Sequence, residues 1–129
     1  MSRGYDRAMG VGVVTEYLGT IGGADGAALQ RVYEVARQLV PEAEEGTSYG
    51  MAALIYRGKG LIATLQTNKF LSLYPFSGAV VASIVDDLPG FETTTGSIHY
   101  SAEHPLPEDM LRRIIETRRA EIDARMARA

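Results

Sequence analysis

The sequence contains no cysteine and only two histidines. The lack of cysteine excludes a disulfide scaffold, a thiolate zinc site, an iron–sulfur cluster and a cysteine nucleophile. The phosphate-binding pattern Gly-x-x-x-x-Gly-Lys-Ser/Thr and the serine-hydrolase pattern Gly-x-Ser-x-Gly are also absent. An enzyme of this composition would have to use tyrosine, histidine and carboxylate alone, so we favour a protein that is not an enzyme.

Long hydrophobic runs are missing as well. The longest, residues 79–85, is far below the roughly 20 residues that a membrane span requires. Met1 to Gly12 lacks the basic start and apolar block of a signal peptide. The formal net charge of −3 argues against broad nucleic-acid binding. We therefore expect a cytoplasmic protein with neither a membrane nor a nucleic-acid partner.

The composition is that of a soluble folded protein. Of 129 residues, 46% are hydrophobic and 22% are charged, which is enough apolar material for one self-sufficient core. Residues 1–12 contain three glycines and no apolar periodicity. We predict a flexible tail over residues 1–12 and one domain over residues 13–129.

Helical patterns stand near both ends of the chain. A short helix is predicted from Val13, and a longer one follows Asp25, whose carboxylate is a plausible N-cap, and ends before Pro41. The apolar stripe of the longer helix is Leu29, Val32, Ala36, Leu39 and Val40. A final helix is predicted from Pro105, with six arginines against three acidic residues over 110–129 on a solvated face.

The middle of the chain is typical of antiparallel strands. Residues 52–56 and 61–67 flank Arg57-Gly58-Lys59-Gly60, which predicts a hairpin, and residues 70–74 follow as a third strand. A short helix is predicted over 78–87, and a small hairpin pairs 91–94 with 97–100. The sum is an α+β domain: an N-terminal helix, an antiparallel meander with a short inserted helix, and a long C-terminal helix.

Two groups of side chains are candidates for binding. Glu42, Glu44 and Glu45 form an acidic cluster after the first long helix, and clustered carboxylates suit hard cations such as ferrous iron. The alternative interpretation is a solvated loop at the helix exit. For the two histidines, His99 and His104, no metal-ligand spacing is present, and a structural role is favoured.

Tyrosines beside glycines at predicted strand ends indicate a small pocket over the sheet. The predicted ligand-binding residues are Tyr49, Met51, Lys59, Tyr74 and His99. A core with solvated edges explains the same pattern equally well, so both interpretations stay open.

Five short motifs resemble, in order and spacing, the YdhG-like family of bacterial domains of unknown function. They are Ser48-Tyr49-Gly50-Met51, Tyr56-x-Gly58-Lys59-x-Leu61, Leu73-Tyr74-Pro75, Thr95-Gly96-Ser97-Ile98 and Pro105-Leu106-Pro107. The resemblance runs from about Val13 to about Ile122. It implies a helix–sheet–helix domain similar to frataxin in general architecture. The chain departs from the family at Ala52, Phe70 and Thr95, where a proline, a histidine and a lysine are usual.

Some members of that family are labelled iron chaperones, which implies Fe(II) as a possible cargo and iron-acceptor proteins as partners. If the label applies, the carboxylates of Glu34, Glu42, Glu44 and Glu45 are the natural iron contacts. Our leading hypothesis is therefore a cytoplasmic binding protein that holds ferrous iron weakly. The alternatives are a small-molecule pocket near Tyr49, Met51 and Tyr74, and a homo-oligomeric interaction module.

Overall fold

Two helices precede the sheet in the computed structural model, which describes residues 12–128. Helix α1 spans Val13–Leu18 and α2 spans Gly23–Leu39. The predicted N-cap at Asp25 is wrong, because α2 begins two residues earlier after Gly22. Asp25 lies in the first turn, where it accepts a hydrogen bond from Gln66 at 2.9 Å. The predicted flexible tail, apart from Gly12, lies outside the described residues.

The sheet has five antiparallel strands in sequential order. They are β1 (Glu44–Ser48), β2 (Met51–Tyr56), β3 (Lys59–Gln66), β4 (Leu71–Tyr74) and β5 (Ile98–Tyr100). Helix α3 (Gly78–Ile84) and one 3₁₀ turn (Val85–Asp87) lie between β4 and β5, and α4 (Glu108–Arg128) ends the described chain. The predicted α+β domain with an antiparallel meander is therefore confirmed.

Strand β1 is not predicted by the sequence. The prediction for Glu44 and Glu45 is a solvated loop or an acidic cluster, but both lie in a strand paired with β2. The segment Glu44–Ser48 is polar and has no fully buried residue, so the apolar alternation that marks a half-buried strand is absent. Its pairing depends on β2, which supplies the hydrophobic residues of the hairpin.

Three other predicted boundaries need correction. The predicted hairpin of 91–94 with 97–100 is present but short: Thr93 forms a bridge to Ile98, and the N–H groups of Thr94 and His99 donate to the carbonyls of Ser97 and Glu92. The helix predicted over 78–87 ends at Ile84 and continues as a 3₁₀ turn. The last helix begins at Glu108, so both Pro105 and Pro107 precede it.

The core lies between the sheet and two long helices. Helices α2 and α4 pack against each other and against β3, while α3 packs on α4. Buried side chains from these elements include Leu29, Tyr33, Leu54, Ile62, Leu73, Ile84, Leu111 and Ile115. Among residues 12–128, no helix combines the length and the apolar character needed to cross a bilayer.

Candidate functional site

A cleft of about 310 Å³ lies where two hairpin turns meet the segment that follows β4 and the second half of α4. Its lining residues are Ser48, Tyr49, Gly58, Lys59, Gly60, Phe76, Arg118 and Arg125. Three of these eight residues are cations, two are aromatic, and none is acidic. A concave surface of this composition is suited to an organic anion.

Two stacked aromatic residues form one side of the cleft. The rings of Tyr49 and Phe76 lie 6.0 Å apart between centroids, with 21° between their planes. Tyr49 is 89% exposed, which is the largest exposure of any bulky hydrophobic side chain in residues 12–128. An exposed aromatic ring held by a neighbour presents a flat surface on which a planar ligand can stack.

Both aromatic residues adopt backbone conformations that side chains disfavour. Tyr49 has φ of 50° and Phe76 has φ of 58°. Tyr49 and Gly50 form the two-residue turn between β1 and β2, and both have positive φ, as a type I′ turn requires. Asparagine or aspartate normally takes the first of these positions, so an aromatic residue there is unusual. Non-glycine residues held in this region store strain, and such strain is common at ligand sites.

Glycine at position 60 is required by the packing of Phe76. A Cβ atom on Gly60 would lie 2.7 Å from Cδ2 of Phe76 and 2.9 Å from Oγ of Ser48. No side chain fits in that space, so the ring of Phe76 covers the backbone of β3 directly.

The pairing of β2 with β3 contains a register shift between Leu54 and Ile55. This shift is a bulge, which increases the local twist of the sheet.

Arg118 is a buried cation at the base of the cleft. Its side chain is only 9% exposed. Nε donates to the carbonyl of Gly60 at 2.9 Å, and Nη1 donates to Oε1 of Glu121 at 2.5 Å. These two bonds fix the plane of the guanidinium group, while Nη2 has no acceptor within the described part of the chain. The arginines of α4 were expected on a solvated face, and for Arg118 that expectation is wrong.

Glu121 is the carboxylate that supports Arg118. Oε1 accepts from Arg118, and Oε2 accepts from the hydroxyl of Ser77 at 2.9 Å. Partial burial opposes ionisation of Glu121, but these two hydrogen bonds outweigh it and hold the pKa of Glu121 below its usual value. Glu121 is therefore ionised at neutral pH, and both of its oxygens already have donors.

Lys59 and Arg125 complete the positive charge. Within residues 12–128, neither side chain forms an ion pair. Arg57, which is in the same turn as Gly58, is excluded from the cleft because its guanidinium group donates to Asp123 at 3.0 Å. Hydrogen bonds from the hydroxyl of Tyr56 and then from Arg57 lower the pKa of Asp123. Arg57 and Asp123 therefore form a charged pair of their own, outside the cleft. The cleft and its supporting Glu121 therefore carry a net charge of +2.

The structure brings together two of the five predicted ligand-binding residues. Tyr49 and Lys59 line the cleft. Met51 and Tyr74 do not line it, although Met51 pairs with Ser48 and Tyr74 ends β4 just before Phe76. His99 lies elsewhere, in β5.

His99 belongs to a second, shallower depression that it shares with His104. Its ring stacks on Phe70 at 3.9 Å, and His104 stacks on Phe91 at 4.2 Å. Nδ1 of His99 lies 3.6 Å from Glu92, which is too long for a hydrogen bond. Both histidines are thus packed against aromatic rings.

The four carboxylates predicted to contact iron are spread over α2, the following turn and β1. Glu45 accepts from the backbone and hydroxyl of Thr15 at 2.8 and 2.7 Å, and from Arg37 at 2.7 Å. Glu42 accepts from Arg119 at 3.1 Å, and Glu34 accepts from Gln30 at 2.9 Å.

Glu44 is exposed at the start of β1. No three histidine or acidic side chains in residues 12–128 lie close enough to hold one metal ion.

Comparison with known proteins identifies the fold. No family model matches the sequence, and no curated protein matches it either. Among solved structures, a protein of the DUF1801 family from Bacillus subtilis, YdhG, matches with a TM-score of 0.71 at 20% sequence identity. The match covers 81% of this chain and 86% of that chain. The chain has a YdhG-like fold.

Three large side chains of the cleft were not found from the sequence of this YdhG-like domain. Phe76 and Arg125 carry no local signal, because their roles depend on residues distant in the chain. Arg118 did carry one, since it lies about two helical turns after Leu111 and therefore falls on the buried stripe of α4. Its acceptor on Gly60, however, is 58 residues away, so the sequence alone does not show what this arginine contacts.

Proposed function

We propose that this YdhG-like domain is a binding protein for small organic anions that contain a planar group, with the cleft at Tyr49 and Arg118 as its site. One observation carries the proposal. Two aromatic residues with positive φ stack on each other beside a cleft that also contains three cations. Folding stability alone favours other residues at these backbone positions, so a binding role accounts for their presence.

A binding role is favoured over catalysis by the composition of the cleft. None of its described lining residues is a histidine or a carboxylate, and Glu121 behind it already accepts from Arg118 and Ser77. General-base catalysis needs a basic group within hydrogen-bond reach of the substrate, and the hydrogen bonds that lower the pKa of Glu121 also make it a weaker base. The lining residues instead supply positive charge, hydrogen-bond donors and a stacking surface.

Titration calorimetry with 4-hydroxybenzoate and its neutral amide tests this proposal. We expect the carboxylate to bind at least about tenfold more tightly than the amide, because the three cations of the cleft attract the charged carboxylate and not the neutral amide. Tyr49→Ala should weaken carboxylate binding about tenfold through loss of the stacking surface. Val85→Ala, which shortens an exposed apolar side chain elsewhere, is the matched control. Equal affinities for the acid and the amide would contradict the proposal.

The iron-chaperone hypothesis stays a prediction that rests on the family label and on the acidic residues Glu42, Glu44 and Glu45. Glu45 cannot be used to test it, because its bonds to Thr15 and Arg37 make it part of the fold. Glu42 and Glu44 are exposed, so the double variant Glu42→Gln/Glu44→Gln is the better probe. If these carboxylates hold iron, anaerobic Fe(II) titration should show weaker binding in the double variant. Unchanged affinity would remove them as ligands.

The homo-oligomer hypothesis and the cytoplasmic location also stay predictions. Light scattering across micromolar concentrations tests the first, and a constant monomer mass would exclude it. Fractionation of cells that produce the full chain tests the second.

A further inference from the structure

The cleft favours one class of organic anion, and the following inference rests on the proposed function. We infer that the cleft binds a phosphate monoester joined to a planar aromatic ring, as in a mononucleotide. The three cations and Glu121 give a net charge of +2 among the described residues. A phosphate monoester carries close to two negative charges near pH 7, whereas a carboxylate carries one.

Arg118 provides a fixed donor for one phosphate oxygen. A guanidinium group holds its N–H donors in one rigid plane and keeps its charge at any physiological pH. In Arg118 this plane is already oriented, because Nε is bonded to Gly60 and Nη1 is bonded to Glu121. Binding therefore does not have to order this side chain, and Nη2 remains available to a ligand.

Lys59 and Arg125 supply the second charge and a way to adapt to the ligand. Both are exposed and make no ion pair within residues 12–128. A phosphate seated at Arg118 would neutralise them without breaking an existing contact. Ser48 contributes a hydroxyl group to the same cleft.

The aromatic pair explains why inorganic phosphate alone is not the expected ligand. Tyr49 exposes most of its ring, and Phe76 supports it from behind at 6.0 Å. Stacking on such a ring tolerates any flat heterocycle, since every nucleobase has a π-face. The volume of about 310 Å³ also falls at the lower end of the range for small-molecule sites.

The test is calorimetric titration of the full chain with four probes: adenosine 5′-monophosphate, adenosine, ribose 5-phosphate and 4-hydroxybenzoate. We expect the nucleotide to bind at least about tenfold more tightly than each of the others, because only it engages both the cations and the aromatic pair. Lys59→Gln and Arg125→Gln should each weaken nucleotide binding several-fold and leave adenosine binding unchanged. Lys69→Gln, an exposed lysine in another turn, is the matched control.

The outcomes separate this inference from the proposed function. If 4-hydroxybenzoate binds but the nucleotide binds no better than adenosine, phosphate recognition is overturned while organic-anion binding stands. If no anion binds, both are overturned. If the nucleotide binds and neither Lys59→Gln nor Arg125→Gln weakens it, the cleft is not the site, and the inference fails.

Discussion

The hydroxyl of Tyr33 in α2 accepts a hydrogen bond from the backbone N–H of Thr64 in the centre of β3, at 3.0 Å. The single proton of this hydroxyl is shared between two backbone carbonyls, that of Ala52 at 3.0 Å and that of Thr64 at 3.1 Å. Tyr33 and Thr64 are both fully buried. One side chain thus joins a helix to two adjacent strands in the middle of the core.

Replacing Tyr33 by phenylalanine should destabilise the fold by about 1–3 kcal/mol, because the N–H of Thr64 loses its acceptor where water cannot reach it. The measurement is urea unfolding at neutral pH. Tyr17→Phe is the matched control, since the Tyr17 hydroxyl also accepts from a backbone N–H, that of Gln66 at 2.9 Å, but at an exposed site. A loss for Tyr33→Phe no larger than for Tyr17→Phe would contradict the prediction.

The sequence was sufficient for the elements whose signals are local. The apolar runs on either side of Arg57-Gly58-Lys59-Gly60 predict the β2–β3 hairpin, and the structure confirms the hairpin with a shorter turn, since β3 already begins at Lys59. The two turn residues, Arg57 and Gly58, both have positive φ. Strand β1 was missed because nothing in Glu44–Ser48 alternates between apolar and polar. These residues form a strand because they pair with β2, and the sequence of the segment by itself does not show that pairing.

The candidate site was predictable only in part for the same reason. Tyr49 and Lys59 are predicted as ligand-binding residues because tyrosines and glycines at strand ends indicate a pocket. Arg118 falls on the buried stripe of α4, but the i,i+4 charge pattern of that helix predicts a solvated face for its arginines. Only the folded structure, in which Nε of Arg118 donates to the carbonyl of Gly60, shows that this arginine reaches the backbone of β3.

The buried tyrosines predict a loss of stability at alkaline pH. Burial raises the pKa of Tyr33 from 10.0 to about 12, and burial also raises the pKa of Tyr100. The unfolded chain therefore releases these protons at lower pH than the folded chain. Their stabilisation is complete below pH 10. That of Tyr33 is lost as the pH rises from 10 to about 12, by at most about 1.4 kcal/mol per pH unit, and Tyr100 adds a loss in the same direction.

Urea unfolding from pH 8 to pH 11.5 measures this effect. The wild-type free energy of unfolding should fall more steeply above pH 10 than that of Tyr33→Phe, which lacks one of the two groups. Parallel curves for the two proteins would show that Tyr33 titrates in the folded state as it does in the unfolded chain.

Glu45 should be a structural residue that holds α1 on the sheet. Glu45→Gln removes the charge from hydrogen bonds to Thr15 and Arg37, so we expect a loss of about 1–2 kcal/mol. Faster amide hydrogen exchange over Val13–Leu18 should accompany it. Glu44→Gln, the exposed neighbour in β1, should change neither quantity. Equal exchange rates in α1 for the two variants would refute this role.

Gly60→Ala should disturb the cleft without altering any of its charges. The new methyl group would overlap the ring of Phe76, so we expect a destabilisation of about 1–3 kcal/mol and a displaced aromatic pair. Gly96→Ala is the control, because a Cβ at Gly96 meets no atom within 4 Å. Unfolding measurements on both variants test the packing, and a Gly60→Ala protein as stable as Gly96→Ala would show that Phe76 moves away at no cost.

Tyr49→Asn should separate stability from binding at the cleft. Asparagine followed by glycine suits a type I′ turn, so relief of the strained φ of 50° should stabilise the fold by up to about 1 kcal/mol. The same change removes the exposed ring, so binding of a planar anion should weaken about tenfold.

Arg57→Asn is the matched variant. It relieves the equivalent φ of 53° in the other hairpin turn but lies outside the cleft, so it should leave anion affinity unchanged. It also loses the bond to Asp123, which offsets part of any gain in stability. Thermal unfolding measures the stability of both variants, and calorimetry measures their affinity for the anion. If Tyr49→Asn lowers stability, tyrosine contributes more to the turn through its stack on Phe76 than the strained backbone costs, and position 49 would then be explained by folding alone.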